Sequence, residues 1–187
     1  MKLTELLLLN DNYTDPVTKI GTTDKEIRHQ YCSLFYDEYL LPYKDKEISL
    51  FEIGIAGGGS LKLWSDYFQK GKIHGVDLFP FEGLDTLSRY PRVTTSFTDA
   101  YSSDFVNSLP NFDIIMDDGP HTIESQMSFF DLYLPKLNPG GILILEDIRG
   151  IDRAHLLIEK IKDRNFIFQD TSEITGLIDN IIIAIYN

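Results

Sequence analysis

Apolar and polar positions fall in blocks whose period switches between that of a strand and that of a helix. The block Ser49-Leu50-Phe51-Glu52-Ile53-Gly54 reads as a buried strand with one acid inside it. It runs into a glycine-rich turn, Ile55-Ala56-Gly57-Gly58-Gly59-Ser60. Apolar residues then recur at helical spacing through Leu61, Trp64, Tyr67 and Phe68. The same alternation continues downstream. Residues 72–78 form a short strand with Asp77 near its end, and 92–97 a more polar strand suited to a sheet edge. Residues 101–109 predict a helix stopped by Pro110, and 112–118 a buried strand ending in two acids. A helix follows over 122–134, and Asn138-Pro139-Gly140-Gly141 predicts a turn. Residues 142–147 are a second buried strand ending in two acids. Residues 152–164 predict a helix with Leu156, Leu157, Ile158 and Ile161 inward. The short link between strands at 166–168 and 181–186 predicts a closing antiparallel hairpin.

The first 45 residues are less regular. A short helix is expected over 4–9, and loop over 10–14 and Asp15-Pro16. Thr23 with Glu26 three positions on has the form of a capping box. Ile27, Tyr31, Leu34, Phe35 and Leu41 then give one apolar helical face as far as Pro42. This helix would either pack on the sheet edge or act as a lid over a ligand. The pattern as a whole predicts one α/β domain over 1–187, with an N-terminal helical lid or edge segment (1–45) and a Rossmann-like core (46–187). The core is a doubly wound, mostly parallel, seven-stranded sheet with helices on both faces and a C-terminal antiparallel hairpin.

Composition narrows the function classes. A formal net charge of -12 argues against a nucleic-acid partner, which needs clustered Lys and Arg. No apolar run is long enough to span a bilayer, so no membrane partner is expected. The single cysteine, Cys32, excludes an internal disulfide and fits the cytoplasm. Oligomeric state is open, and a homo-oligomer whose second subunit completes the pocket is one arrangement the short chain allows.

In doubly wound sheets ligands bind at the carboxyl ends of the strands. Glu52, Asp77, Asp99, Asp117, Asp118, Glu146 and Asp147 would gather along that edge. The turn is a poor dinucleotide fingerprint, since Ala56 holds the second glycine position, and Glu52 would face a pyrophosphate. An acid there suits a ligand with a positive amino group, and Asp77, about 20 residues on, suits a ribose diol. Glu52-x-Gly54-x-Ala56-x-Gly58 resembles the acidic-x-Gly-x-Gly-x-Gly signature of class I S-adenosylmethionine-dependent methyltransferases. Asp117-Asp118-Gly119-Pro120-His121 and Glu146-Asp147, with Thr23-Asp24-Lys25 and His29-x-Tyr31, resemble a narrower group. That group is the metal-dependent sugar O-methyltransferases of macrolide (mycinamicin-type) biosynthesis, with their cephalosporin-hydroxylase-like and rhamnosyl methyltransferase relatives.

The resemblance implies S-adenosyl-L-methionine as cofactor, Mg²⁺ as metal and a small-molecule acceptor such as a sugar. It makes Asp118, Glu146 and Asp147 metal ligands, and gives His121, with Asp118, the catalytic role, His121 as general base. Cofactor contacts are expected from Glu52, Gly54, Ala56, Gly58 and Ser60, from Asp77 and Leu78, and from Asp99, Tyr101 and Asp117. Glu146 departs from the aspartate expected there, and Glu26 from a glycine. Asp99 could equally cap the following helix, and His29 and Tyr31 could help close over the cofactor. Two other readings stand beside this one: a metal-independent small-molecule methyltransferase, and a non-catalytic S-adenosylmethionine-binding subunit. An NAD-dependent enzyme is a distant third.

Overall fold

A computed structural model of the chain describes residues 1–9, 23–81 and 83–187. The loop expected over 10–14 and at Asp15-Pro16 lies outside the described residues. Helix α1 (Leu3–Leu9) comes first, then a π-helical turn (Cys32–Tyr36) running into the short α2 (Asp37–Tyr39). The core follows as β1 (Ser49–Ile53), α3 (Gly59–Tyr67), β2 (Lys72–Asp77), β3 (Val93–Phe97), α4 (Ser103–Ser108) and β4 (Phe112–Asp117). It continues through α5 (Ile123–Tyr133), β5 (Leu137–Leu145), α6 (Ile151–Ile161), β6 (Phe166–Asp170), α7 (Ser172–Thr175) and β7 (Ile181–Tyr186).

The seven strands form one sheet in the order β3-β2-β1-β4-β5-β7-β6. The first five are parallel to their neighbours, and β7 runs antiparallel to both β5 and β6. The polar third strand is at the edge, as its composition predicts. The chain reverses direction across the sheet between β1 and β4, which makes their carboxyl ends the switch point. Register aligns Ile53 with Asp117 and Asp117 with Leu145. Gly54, Asp118 and Glu146 therefore leave the sheet side by side.

Alternation along the strands sorts the core into two layers. Leu50, Ile114, Ile142, Ile144 and Ile182 face α1, the π-helical turn and α3, where Trp64 and Phe68 are buried. Phe51, Ile115, Leu143, Leu145 and Ile183 face α5 and α6 through Phe129 and Leu157. His74 is a packed strand residue stacked on Phe51, and Cys32 is buried. Among the described residues no helix is long and apolar enough to cross a membrane.

Three expectations are corrected. The helix over 23–41 is not continuous: a turn covers 25–29, and Gln30 adopts φ 53°, which no α-helix accommodates. Glu26 accepts from the Ser33 amide at 2.9 Å instead of closing a capping box, and Ile27 points to solvent. Asn138-Pro139-Gly140-Gly141 lies within β5 as an irregularity where the register with β4 shifts. Gly140 there takes φ 76°, and a Cβ on Gly141 would meet the Asp113 carbonyl at 2.7 Å, so two glycines serve a bulge and not a reversal. Leu156 is exposed, leaving Ala154, Leu157 and Ile161 as the buried stripe of α6.

Candidate active site

The turn after β1 is built from left-handed backbone. Gly54 has φ 91°, and a Cβ there would lie 2.0 Å from the Asp118 carbonyl oxygen. Gly58 caps α3 at φ 79°, with the Phe81 ring 3.0 Å from where its Cβ would be. Asp77 reaches across from the end of β2. Its Oδ2 accepts from the Ile55 and Ala56 amides at 2.9 and 3.4 Å, and its Oδ1 from the Leu78 amide at 2.7 Å. The turn is thus already shaped by the carboxylate that follows the neighbouring strand.

Behind the turn is a buried ionic hub. The Lys25 side chain, 1% exposed, places Nζ 2.6 Å from Glu146 Oε2, 2.8 Å from Asp118 Oδ2 and 3.4 Å from Glu52 Oε1. Burial alone would lower the lysine pKa, but Asp118, Glu146 and Glu52 outweigh it and hold the ammonium well above its usual range. Glu52 Oε2 also accepts from Ser60 Oγ (2.8 Å) and from Trp64 Nε1 (3.0 Å). Burial pushes both Glu52 and Glu146 upward, and Lys25 pulls each back. The ammonium is what keeps two fully buried carboxylates compatible with the core.

In front of the hub lies a second group. His121 Nε2 is 3.8 Å from Asp118 Oδ1 and 3.7 Å from Asp147 Oδ2. Asp118, His121 and Asp147 each present one donor atom, all within 4.8 Å of one another. His121 and Asp147 both adopt φ 53°, and Ala56 φ 44°; non-glycine backbone of this kind concentrates where a site demands it. Arg153 Nη1 donates to the His121 carbonyl at 2.6 Å, anchoring that residue to α6. Tyr31 donates its hydroxyl to Asp147 Oδ1 at 2.6 Å. His29 Nδ1 donates to Asn180 Oδ1 at 2.7 Å, because the Asn180 amide nitrogen is committed to the His29 carbonyl at 2.9 Å. His29 Nε2 is 3.5 Å from Asp24 Oδ2. Burial would lower the His29 pKa, but Asp24 and Asp147 prevail and raise it to about 9.

These groups line or back one cavity of about 620 Å³ at the strand ends. Of the residues expected to bind cofactor or metal, Gly54, Ala56, Ser60, Asp77 and Leu78 line it from the β1–β2 side. Asp99, Tyr101, Asp118, His121 and Asp147 line it from the other. Asp99 caps no helix, since Ser102 holds the N-cap of α4; its Oδ1 accepts instead from the Tyr101 amide at 2.9 Å. Four expected residues are not in the walls. Glu52 and Gly58 sit beneath the turn, the first in the ionic hub and the second under Phe81. Asp117 is buried, held by the Tyr101 hydroxyl at 2.9 Å and the Gly119 amide at 3.0 Å, and burial raises its pKa to about 7. Glu146 is drawn back to Lys25, so the donor set brought together here contains His121 in the place expected for Glu146. Glu146 Oε1 has no hydrogen-bond partner among the described residues.

Lys25 was not anticipated as part of the site. One signal for it existed: three acids expected at adjoining strand ends require a buried cation, and Lys25 lies in the Thr23-Asp24-Lys25 element.

The parallel sheet, the glycine turn and the acids at the strand ends define an α/β cofactor-binding protein with a pocket at its switch point. Residues 51–148 match the family described as a methyltransferase domain, and the chain belongs to it. It is 33% identical over 138 residues to the 8-demethyl-8-alpha-L-rhamnosyl tetracenomycin-C 2'-O-methyltransferase of Streptomyces olivaceus, covering 68% of this chain and 35% of the relative. It is 30% identical over 124 residues to the mycinamicin VI 2''-O-methyltransferase of Micromonospora griseorubida, covering 60% and 30%. Among solved structures it superposes on the MycE methyltransferase of the mycinamycin biosynthetic pathway, solved with Mg, SAH and mycinamycin VI. The TM-score is 0.73 at 22% identity, over 100% of this chain and 53% of that one. A precorrin-6y C5,15-methyltransferase from Geobacter metallireducens gives 0.64 at 17% identity, over 95% of both chains. The chain spans about a third of the length of these curated relatives and about half of MycE.

Proposed function

We propose that this chain is the catalytic domain of an S-adenosylmethionine-dependent O-methyltransferase acting on a sugar or similar polyol, with a divalent cation such as Mg²⁺ at the strand ends. The observation that carries the reading is the convergence of Asp118, His121 and Asp147 on the cavity that the glycine turn also lines. The curated relatives, named as methyltransferases of rhamnosyl and mycinamicin acceptors, support the acceptor class. A cytoplasmic location goes with this reading, as does a small-molecule acceptor in place of nucleic acid.

The residues present fit both groups. Two carboxylates with an imidazole beside them suit a hard divalent ion, and Gly54, with no Cβ, lets the turn pack directly against the Asp118 backbone so that both border one cavity. Asp118 and Asp147 would hold the metal, while Glu146 is held back from them by Lys25. Asp77, Leu78, Asp99 and Tyr101 would hold the nucleoside. The bound metal would polarise an acceptor hydroxyl, and the sulfonium would supply the methyl group. His121, half-exposed on the wall, takes the hydroxyl proton as oxygen attacks. Asp118 Oδ1 and Asp147 Oδ2 lie 3.8 and 3.7 Å from its Nε2, which keeps the ring beside the metal-holding carboxylates. Tyr31 and His29 fix Asp147 from behind.

A metal-independent methyltransferase is the second reading, and Lys25 favours it, because the acids already own a cation. Transfer of labelled methyl from S-adenosylmethionine to a panel of glycosides, with and without EDTA, separates the two. Product formation that stops with EDTA and returns with Mg²⁺ supports the first reading. Undiminished transfer in EDTA selects the second, and absence of cofactor binding ends both.

A further inference from the structure

The walls of the cavity are strongly acidic. Asp24, Asp77, Asp99, Asp118, Asp147 and Asp179 all contribute, against a single arginine, Arg28. Most of these acids are engaged: Asp77 by turn amides, Asp99 by the Tyr101 amide, Asp118 by Lys25 and Asp147 by Tyr31. Arg28 is different. Its side chain is exposed on the wall and makes no hydrogen bond or ion pair with the described residues. Its backbone is well held: its amide donates to the Asp24 carbonyl at 3.0 Å, and the turn is riveted to the strand ends by the adjacent Lys25 hub and by His29 on Asn180. An arginine on a held backbone, on the wall of an acidic cavity and with no side-chain partner among the described residues, is an arrangement for receiving an anion.

We propose that Arg28 is the receptor for the α-carboxylate of the cofactor's methionine moiety. The inference rests on the S-adenosylmethionine reading above. The cofactor carries a sulfonium, an ammonium and one anion, so a wall rich in aspartates with one arginine that has no partner among the described residues matches its charge pattern. The placement agrees. Asp77 and Leu78, suited to the ribose, lie at the end of β2, while Arg28 lies with Asp24 and His29 in the turn that lines the same cavity. A planar guanidinium offers two parallel donors to a carboxylate, which a lysine or amide at this position does not reproduce.

The test compares ligands with and without that carboxylate by isothermal titration calorimetry on the wild type, Arg28→Gln and Arg28→Lys, with no acceptor present. S-adenosylmethionine and its decarboxylated analogue serve as probes. The expected result is about a tenfold or greater loss of S-adenosylmethionine affinity in Arg28→Gln, a smaller loss in Arg28→Lys, and decarboxylated-analogue affinity within about twofold of wild type in both. An equal loss for both ligands, or none for either, overturns the assignment. Unchanged cofactor affinity in Arg28→Gln with a raised KM for an anionic acceptor also overturns it, giving the arginine to the acceptor instead. A wild type that binds neither ligand refutes the functional reading itself, so the two failures are distinguishable.

Discussion

Lys25 and Glu146 are 121 positions apart and meet in the interior, Nζ to Oε2 at 2.6 Å. The contact joins the segment ahead of the first strand to the end of the fifth, and draws Asp118 and Glu52 into the same ion cluster. Lys25→Met would leave three carboxylates around an apolar side chain. The expected cost is roughly 3–5 kcal/mol of folding stability, read from urea unfolding. Adding Glu146→Gln should restore part of it, because one uncompensated acid is removed. An unfolding midpoint that does not move in Lys25→Met would show that the ammonium neutralises nothing.

His29 and Asp24 make linked contributions to the pH response of the metal-free protein. The His29 pKa rises from 6.5 to about 9 on folding, so its contribution is complete below pH 6.5 and is lost as pH climbs through about 9. Asp24, held down to about 2 by His29, contributes above 3.8 and loses that contribution as pH drops towards 2. His29→Gln should therefore remove the alkaline loss and the acid-side contribution of Asp24 together. The measurement is the difference in unfolding free energy between wild type and variant across pH, in EDTA; parallel curves would contradict the assignment.

Asp147 and His121 should fail in different ways. Asp147→Asn is expected to weaken Mn²⁺ binding on the order of tenfold or more while S-adenosylhomocysteine still binds. His121→Ala should cut turnover by roughly 10²–10⁴ with cofactor affinity nearly unchanged. Loss of cofactor binding in His121→Ala would reassign that residue to structure.

Gly54 and Gly140 form a matched pair for backbone cost. Both have positive φ, but a Cβ at 54 meets the Asp118 carbonyl at 2.0 Å, and one at 140 meets nothing within 4 Å. Gly140→Ala should cost about 1 kcal/mol and Gly54→Ala about 2–4 kcal/mol, the difference being the collision. Thermal unfolding of the two variants gives the comparison, and equal losses would remove the collision from the account.

The parallel sheet was readable because its strands are buried on both faces and bounded by glycine, proline and acid pairs. The gathering of acids was readable for a related reason: in parallel strands of matched register, residues that follow each strand must emerge together, as Gly54, Asp118 and Glu146 do. What could not be read were choices made by single backbone or side-chain states. Gln30 at φ 53° breaks a helix whose apolar spacing is otherwise intact. Glu146 and Asp147 are neighbours of like charge, and partners far away in the chain sort them: Lys25 draws Glu146 inward, while Tyr31 holds Asp147 on the wall. The glycines of β5 signal a reversal and a bulge equally well until the partner strand is known.

Asn180, at the entrance to β7, grips His29 by both ring and carbonyl, and β7 itself slots between β5 and β6. The pocket wall is therefore tied together from opposite ends of the sequence. The wall containing Arg28 and His29 is synthesised early, yet one of its anchors, Asn180, lies 151 residues beyond His29 along the chain. A chain that stopped short of Asn180 would therefore carry the cavity's other walls but lack this grip on the His29 wall.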